Sequence, residues 1–266
     1  MTTTEQMMTL AELEVPKSPM GFLELPCGYL DPEGVLHRDV ELSELTGHEE
    51  DMLSSTSVPS YKKMGLLVGR CVKRIGTITD AGQIAALADK LTVGDRVYLM
   101  FALRKITLGS DYPFRATCPS CKQESLFRVN LDRLDVQKMK TPEVRIYSGM
   151  LPSSKKPITY RVLTGNHEEQ MAQLRNKDDA ISASLWMRLE SLDGKPPTLP
   201  EVKALSMRDR EHIRVVCDEV DGGVDTSIDM HCLKCGHEFV EEVDASQPGF
   251  FFPSMTLRKS KTRSST

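Results

Sequence analysis

A chain of 266 residues with 39% hydrophobic residues, 27% charged residues and a formal net charge of -4 has room for one large domain or two ordinary ones. Its mild acidity gives no general attraction for nucleic acid or for an anionic membrane, and no uninterrupted apolar run approaches the ~20 residues that span a bilayer. Met1-Thr2-Thr3-Thr4-Glu5 lacks the basic and apolar regions of a signal peptide, so the expected place is the cytoplasm unless an assembly carries the protein out.

In chain order, residues 1–19 are polar and irregular and read as an arm. Leu25-Pro26-Cys27-Gly28-Tyr29, a turn at Asp31-Pro32-Glu33-Gly34 and the alternating Val35, His37, Asp39, Val40 and Leu42 predict a β-hairpin. Leu45-Thr46-Gly47-His48-Glu49-Glu50 follows, and then helices over 61–75 and 81–91. A third helix starts at Thr92, where Thr92-x-x-Asp95 sets an N-cap hydroxyl three residues before a carboxylate. Its core face is Leu99, Ala102, Leu103 and Ile106, and Gly109 stands where a left-handed stop is needed. Strand, Cys118-Pro119-Ser120-Cys121 and strand complete this half.

The same order then returns. Leu151-Pro152-Ser153-Ser154 opens a hairpin that returns through Ile158, Tyr160 and Val162, Leu163-Thr164-Gly165-Asn166-His167-Glu168-Glu169 matches the earlier block with one insertion, and a helix covers 179–191. Ser206-x-x-Asp209 begins a helix with Ile213, Val216, Cys217 and Val220 inward and Gly223 as its stop. Strand, Cys232-Leu233-Lys234-Cys235 and strand follow. Residues 91–121 lie over 205–235 without a gap, pairing Asp95 with Asp209 and both cysteine pairs with each other. The expected fold class is therefore α+β, two tandem related repeats, each a β-hairpin, several helices and a Cys-x-x-Cys knuckle hairpin. The boundaries are a flexible arm (1–19), a first repeat (20–140), a second repeat (141–253) and a basic tail (254–266).

A Cys-x-x-Cys turn offers two thiolates to one ion, and four thiolates close a tetrahedral zinc shell that leaves no open position for substrate. Cys118, Cys121, Cys232 and Cys235 are the candidate metal ligands, for one structural zinc per chain shared between the halves. His231 and His237 beside the second pair leave a separate Cys/His site open. Cys27, Cys71 and Cys217 are read as buried thiols. His48-x-Glu50 and His167-x-Glu169 echo a zinc deaminase, but no proline precedes Cys118 or Cys232 and the knuckles lie between strands. Glycine-rich phosphate loops, nucleophile elbows and His-Glu-x-x-His are absent, so no enzyme, no catalytic residue and no small-molecule substrate is expected. Trp186, with Ile181, Leu185 and Leu189, is read as core. Phe250, Phe251, Phe252 and Pro253 are the candidate partner contact or interdomain plug.

The Leu-Pro openings, the two Leu-Thr-Gly blocks, the helix ending in Gly-x-Asp, the knuckle followed by Val129-Asn130-Leu131 or Val243-Asp244 and the Phe-Phe-Phe-Pro close together resemble the T4-type phage baseplate protein family over residues 20–253. Members of that family are associated with the central hub of contractile tails and its assembly. The resemblance implies a non-enzymatic structural or assembly component acting through contacts with other baseplate, hub or tail proteins. It implies a location in the virion tail, and in the host cytoplasm during assembly. The alternative of another class is a zinc-ribbon adaptor binding nucleic acid, which Arg258, Lys259, Lys261 and Arg263 permit and the net charge disfavours.

Overall fold

A computed structural model describes residues 23–174 and 179–252. The arm (1–19), the basic tail (254–266) and Pro253 lie outside the described residues. The first half begins with β1 (Leu23–Leu30) and β2 (Leu36–Leu42), then α1 (Gly47–Ser54), α2 (Ser60–Cys71), β3 (Val72–Ile75), α3 (Ala81–Leu87) and α4 (Val93–Leu108). It ends in the hairpin β4 (Asp111–Thr117) and β5 (Glu124–Asn130), which carries the first knuckle. A connecting β6 (Val136–Gln137) leads to the second half: β7 (Ile146–Met150), β8 (Pro157–Arg161), α5 (Gly165–Ala172), α6 (Ala180–Arg188), β9 (Leu189–Leu192), α7 (Leu199–Lys203) and α8 (Met207–Val220). Then come β10 (Gly223–Val224), the hairpin β11 (Ser227–His231) and β12 (Glu238–Glu242), and α9 (Pro248–Phe251).

The two halves thus use one order of elements. Each has an antiparallel three-stranded sheet, β1-β2-β3 or β7-β8-β9, in which the third strand follows directly on a helix. Val72–Ile75 and residues 189–191 were expected to continue their helices and lie in strands instead. Their inward residues Val72 and Ile75, and Leu189 and Leu192, are three apart, a spacing that fits the helical period and not the strand's alternation, so only the turns after them mark the strands. In the first half that turn is Gly76 at φ +56, where a Cβ would sit 2.3 Å from His37 Nδ1. In the second it is Asp193-Gly194, both at positive φ.

The helices α4 and α8 start alike. Thr92 Oγ1 accepts from Asp95 N–H and Ser206 Oγ from Asp209 N–H, both at 3.1 Å. Each carboxylate then ties the helix to the opening strand's end: Asp95 Oδ1 accepts from Cys27 N–H at 2.8 Å, and Asp209 Oδ1 from Ser153 N–H at 2.7 Å. One residue on, Arg96 donates to Ala88 O at 2.8 Å and Arg210 to Val202 O at 3.0 Å. The expected stop at Gly109 holds, with φ +83 at the end of α4. Gly223 is not the stop of α8, whose cap is Asp221 in extended conformation. Gly223 lies instead in β10, its Cα against Gly94, where no side chain would fit.

Two main cores follow the halves, but the first is completed by the chain's far end. Leu99, Met100, Leu103, Leu67, Val68 and Ile75 pack with Val243, Ala245, Phe250 and Phe251. Phe250 meets Phe101 edge-on with centroids 5.0 Å apart, and its carbonyl accepts from Arg104 Nε at 3.1 Å. Phe250 and Phe251, candidates for a partner contact, are therefore buried in the first half's core, and only the half-buried Phe252 reaches the surface. The second core gathers Leu151, Ile158, Leu185, Leu189, Val202, Ile213 and Cys217, with Trp186 packed at its edge and donating from its indole N–H to Pro197 O.

Candidate metal centre and the seam beside it

Each knuckle closes by the same backbone bonds. Cys118 N–H donates to Gln123 O and Lys122 N–H to Cys118 O; Cys232 N–H donates to His237 O and Gly236 N–H to Cys232 O. This closure needs a left-handed residue just after the second cysteine, Lys122 at φ +59 and Gly236 at φ +71. The two turns meet tip to tip. Cys118 Sγ lies 3.8 Å from Cys235 Sγ and Cys121 Sγ 3.6 Å from Cys232 Sγ, and all four sulfurs fall within 4.8 Å of one another. The first cysteine of each knuckle faces the second of the other, so the pairing is reciprocal.

These separations are too long for a disulfide, whose sulfurs stand ~2 Å apart. Four thiolates at ~2.3 Å from one ion would place their sulfurs about 3.8 Å apart, close to the 3.8 and 3.6 Å of the two facing pairs. Backbone N–H groups of Cys235 and Lys234 pull the Cys232 thiol down to about 6. The His237 N–H favours the Cys235 thiolate, yet the crowding Cys121 thiol and desolvation take Cys235 up to about 12. Four thiolates so close cannot all ionise without a cation among them, so the donor set fits a soft divalent metal.

No histidine joins this group among the described residues. His231 pairs with Glu238 at 3.1 Å, and His167 Nδ1 accepts from Thr164 N–H at 3.1 Å in its own helix cap. His48 is exposed on the first turn of α1. The three remaining cysteines are buried, and burial lifts the thiols of Cys27 and Cys71 to about 12 and of Cys217 to about 11. They are inert packing groups.

Between the halves, the start of α4 meets the start of α5 and the segment just after α8. Val93 N–H donates to Leu163 O at 2.9 Å and Gly165 N–H to Leu91 O at 3.1 Å. Arg96, buried in this seam, pairs with Asp89 at 2.6 Å and with Glu168 at 3.0 Å. A Cβ on Gly94 would lie 1.8 Å from Gly222 O, and one on Gly165 would lie 2.1 Å from Arg96 Nη1. Sequence reasoning passed over these glycines because a glycine inside or opening a helix is not by itself a contact signal. The seam also separates two matched carboxylates. Asp95 is covered by it, and burial raises its pKa although Cys27 N–H favours the ionised form. Asp209 is also buried, but there the N–H groups of Ser153 and Ser154 outweigh desolvation and lower its pKa.

Residues 62–150, from α2 through the first knuckle to β7, match the family described as T4 bacteriophage base plate protein. The match covers roughly a third of the chain. Comparison with curated proteins and with solved structures gives no significant match. No helix among the described residues is long and apolar enough to cross a membrane.

Proposed function

We propose that this chain is a non-enzymatic component or assembly factor of a contractile tail baseplate or hub. In this reading an ancestral duplication produced its two halves, and one zinc ion held by Cys118, Cys121, Cys232 and Cys235 staples them. The observation that carries the reading is the reciprocal four-sulfur cluster, with one Cys-x-x-Cys turn from each half and one of them inside the baseplate-family segment. A closed four-thiolate shell has no position for substrate or water, so zinc there would stabilise the fold and would not catalyse. Matched caps, carboxylate ties and arginine bonds in α4 and α8 support the common origin of the halves. The protein would act through contacts with other baseplate, hub or tail proteins, in the host cytoplasm during assembly and then in the virion.

Elemental analysis of the purified full-length chain is expected to give one zinc per chain, and Cys232→Ser to lower it well below that. In thiol labelling, the metal-loaded protein should protect the four knuckle cysteines. A chelator should expose those four, and denaturant all 7 cysteines. Metal-free protein whose knuckle thiols label freely at once would sink the staple. Mass spectrometry of purified phage particles tests the placement in the tail.

A further inference from the structure

The seam between the halves is not reciprocal, unlike the knuckles. It joins the Leu91–Arg96 edge of the first half to the Leu163–Glu168 edge of the second. The matching positions on the other side of each half are Leu205–Arg210 and Leu45–Glu50. They do not meet one another. Gly47 and Ser206 are exposed where their counterparts Gly165 and Thr92 are buried, and Met207, counterpart of Val93, is 71% exposed. Two open clefts mark these edges. One of about 640 Å³ is floored by Ser153, Leu205, Ser206 and Asp209, and one of about 610 Å³ is lined by Leu45, Thr46, Gly47, Glu50 and Leu108.

We propose that a second copy of this chain docks head to tail, placing its Leu45–Glu50 edge against the Leu205–Arg210 edge of the first. An interface between unlike faces leaves one face open at each end, so related units continue it until a ring closes or a filament grows. The seam inside the chain is the first such contact, already made. The helix positions match its pattern: exposed Glu50 stands at the position of Glu168, and Arg210, buried and bonded to Val202 O and Ser182 Oγ, at that of Arg96. Arg208 and Leu108 replace Gly94 and Gly222, so the new contact is side chain on side chain at that point and is looser than the seam. This inference rests on the duplication proposed above.

Gly47→Arg and Met207→Glu test it. A Cβ on Gly47 meets nothing within 4 Å, and Met207 is solvent-exposed, so both chains should fold. In analytical ultracentrifugation the wild type should rise with concentration from 29.8 kDa to at least twice that mass, and each variant should stay at 29.8 kDa. An equimolar mixture of the two variants should form a dimer and nothing larger, because one keeps each face. A wild type that stays monomeric, a variant that associates normally, or a mixture that fails to pair overturns the proposal. Association that appears only after deleting 253–266 also overturns it, since the chain's own tail would then fill the cleft. Zinc content of the same samples separates the two readings: a zinc-loaded monomer removes only this inference, and a zinc-free chain that associates removes only the staple.

Discussion

Lys122 and Gly236 do the same work at unequal cost. Both follow the second cysteine of a knuckle in left-handed conformation, where a side chain is disfavoured by about 1 kcal/mol and glycine is not. Lys122→Gly is therefore expected to stabilise the protein by up to about 1 kcal/mol, and Gly236→Lys to destabilise it by a similar amount, as denaturant midpoints would record. Asp95 and Asp209 make a second contrast. Asp209, lowered below 3.8, adds stability above that pH, and the contribution is lost as pH falls through its folded value. Asp95, raised above 3.8, does the reverse, and its folded form loses stability as pH rises from 3.8 through its folded value. Asp209→Asn should flatten the acid limb of the stability curve below 3.8, and Asp95→Asn should flatten the decline above it. At neutral pH Asp209→Asn should cost more, about 1–3 kcal/mol, because one of two backbone donors then faces an amide N–H.

At the scale of elements, α9 is short and yet closes the first core. Phe250→Ala is expected to cost about 3–5 kcal/mol in urea unfolding, a core value and not a surface one. Phe252→Ala, at a half-buried position, should cost far less. The sequence made α4 and α8 legible because cap hydroxyl, carboxylate and apolar face agree in each of the two helices. It hid β3 and β9, since a four-residue strand running straight out of a helix offers too few positions for its period to register. The aromatic run was legible as a plug, but its target was not, because the residues it meets, Phe101 and Tyr112, lie more than a hundred positions away. The second hairpin's first strand, Ile146–Met150, was expected to begin near Leu151, a buried residue that in fact follows the strand.

At the scale of the whole molecule, the cysteine cluster was legible from spacing alone, because only thiol pairs in matching turns give that pattern twice. The asymmetric seam was not, since the backbone approach of Gly94 to Gly222 leaves no trace in residue type. Removing the proposed zinc is expected to lower the melting temperature, and the loss should be larger for the wild type than for Cys232→Ser, which lacks one of the four proposed ligands. Calorimetry with and without chelator would record both.

The crossing of Val243, Ala245, Phe250 and Phe251 into the opposite core has a consequence for biosynthesis. A ribosome releases the amino-terminal lobe long before these residues are made, so that lobe waits with an open hole while the remainder is translated. Its completion waits for residues 243–251, and a product stopped before them would keep sticky apolar surface for chaperones to bind.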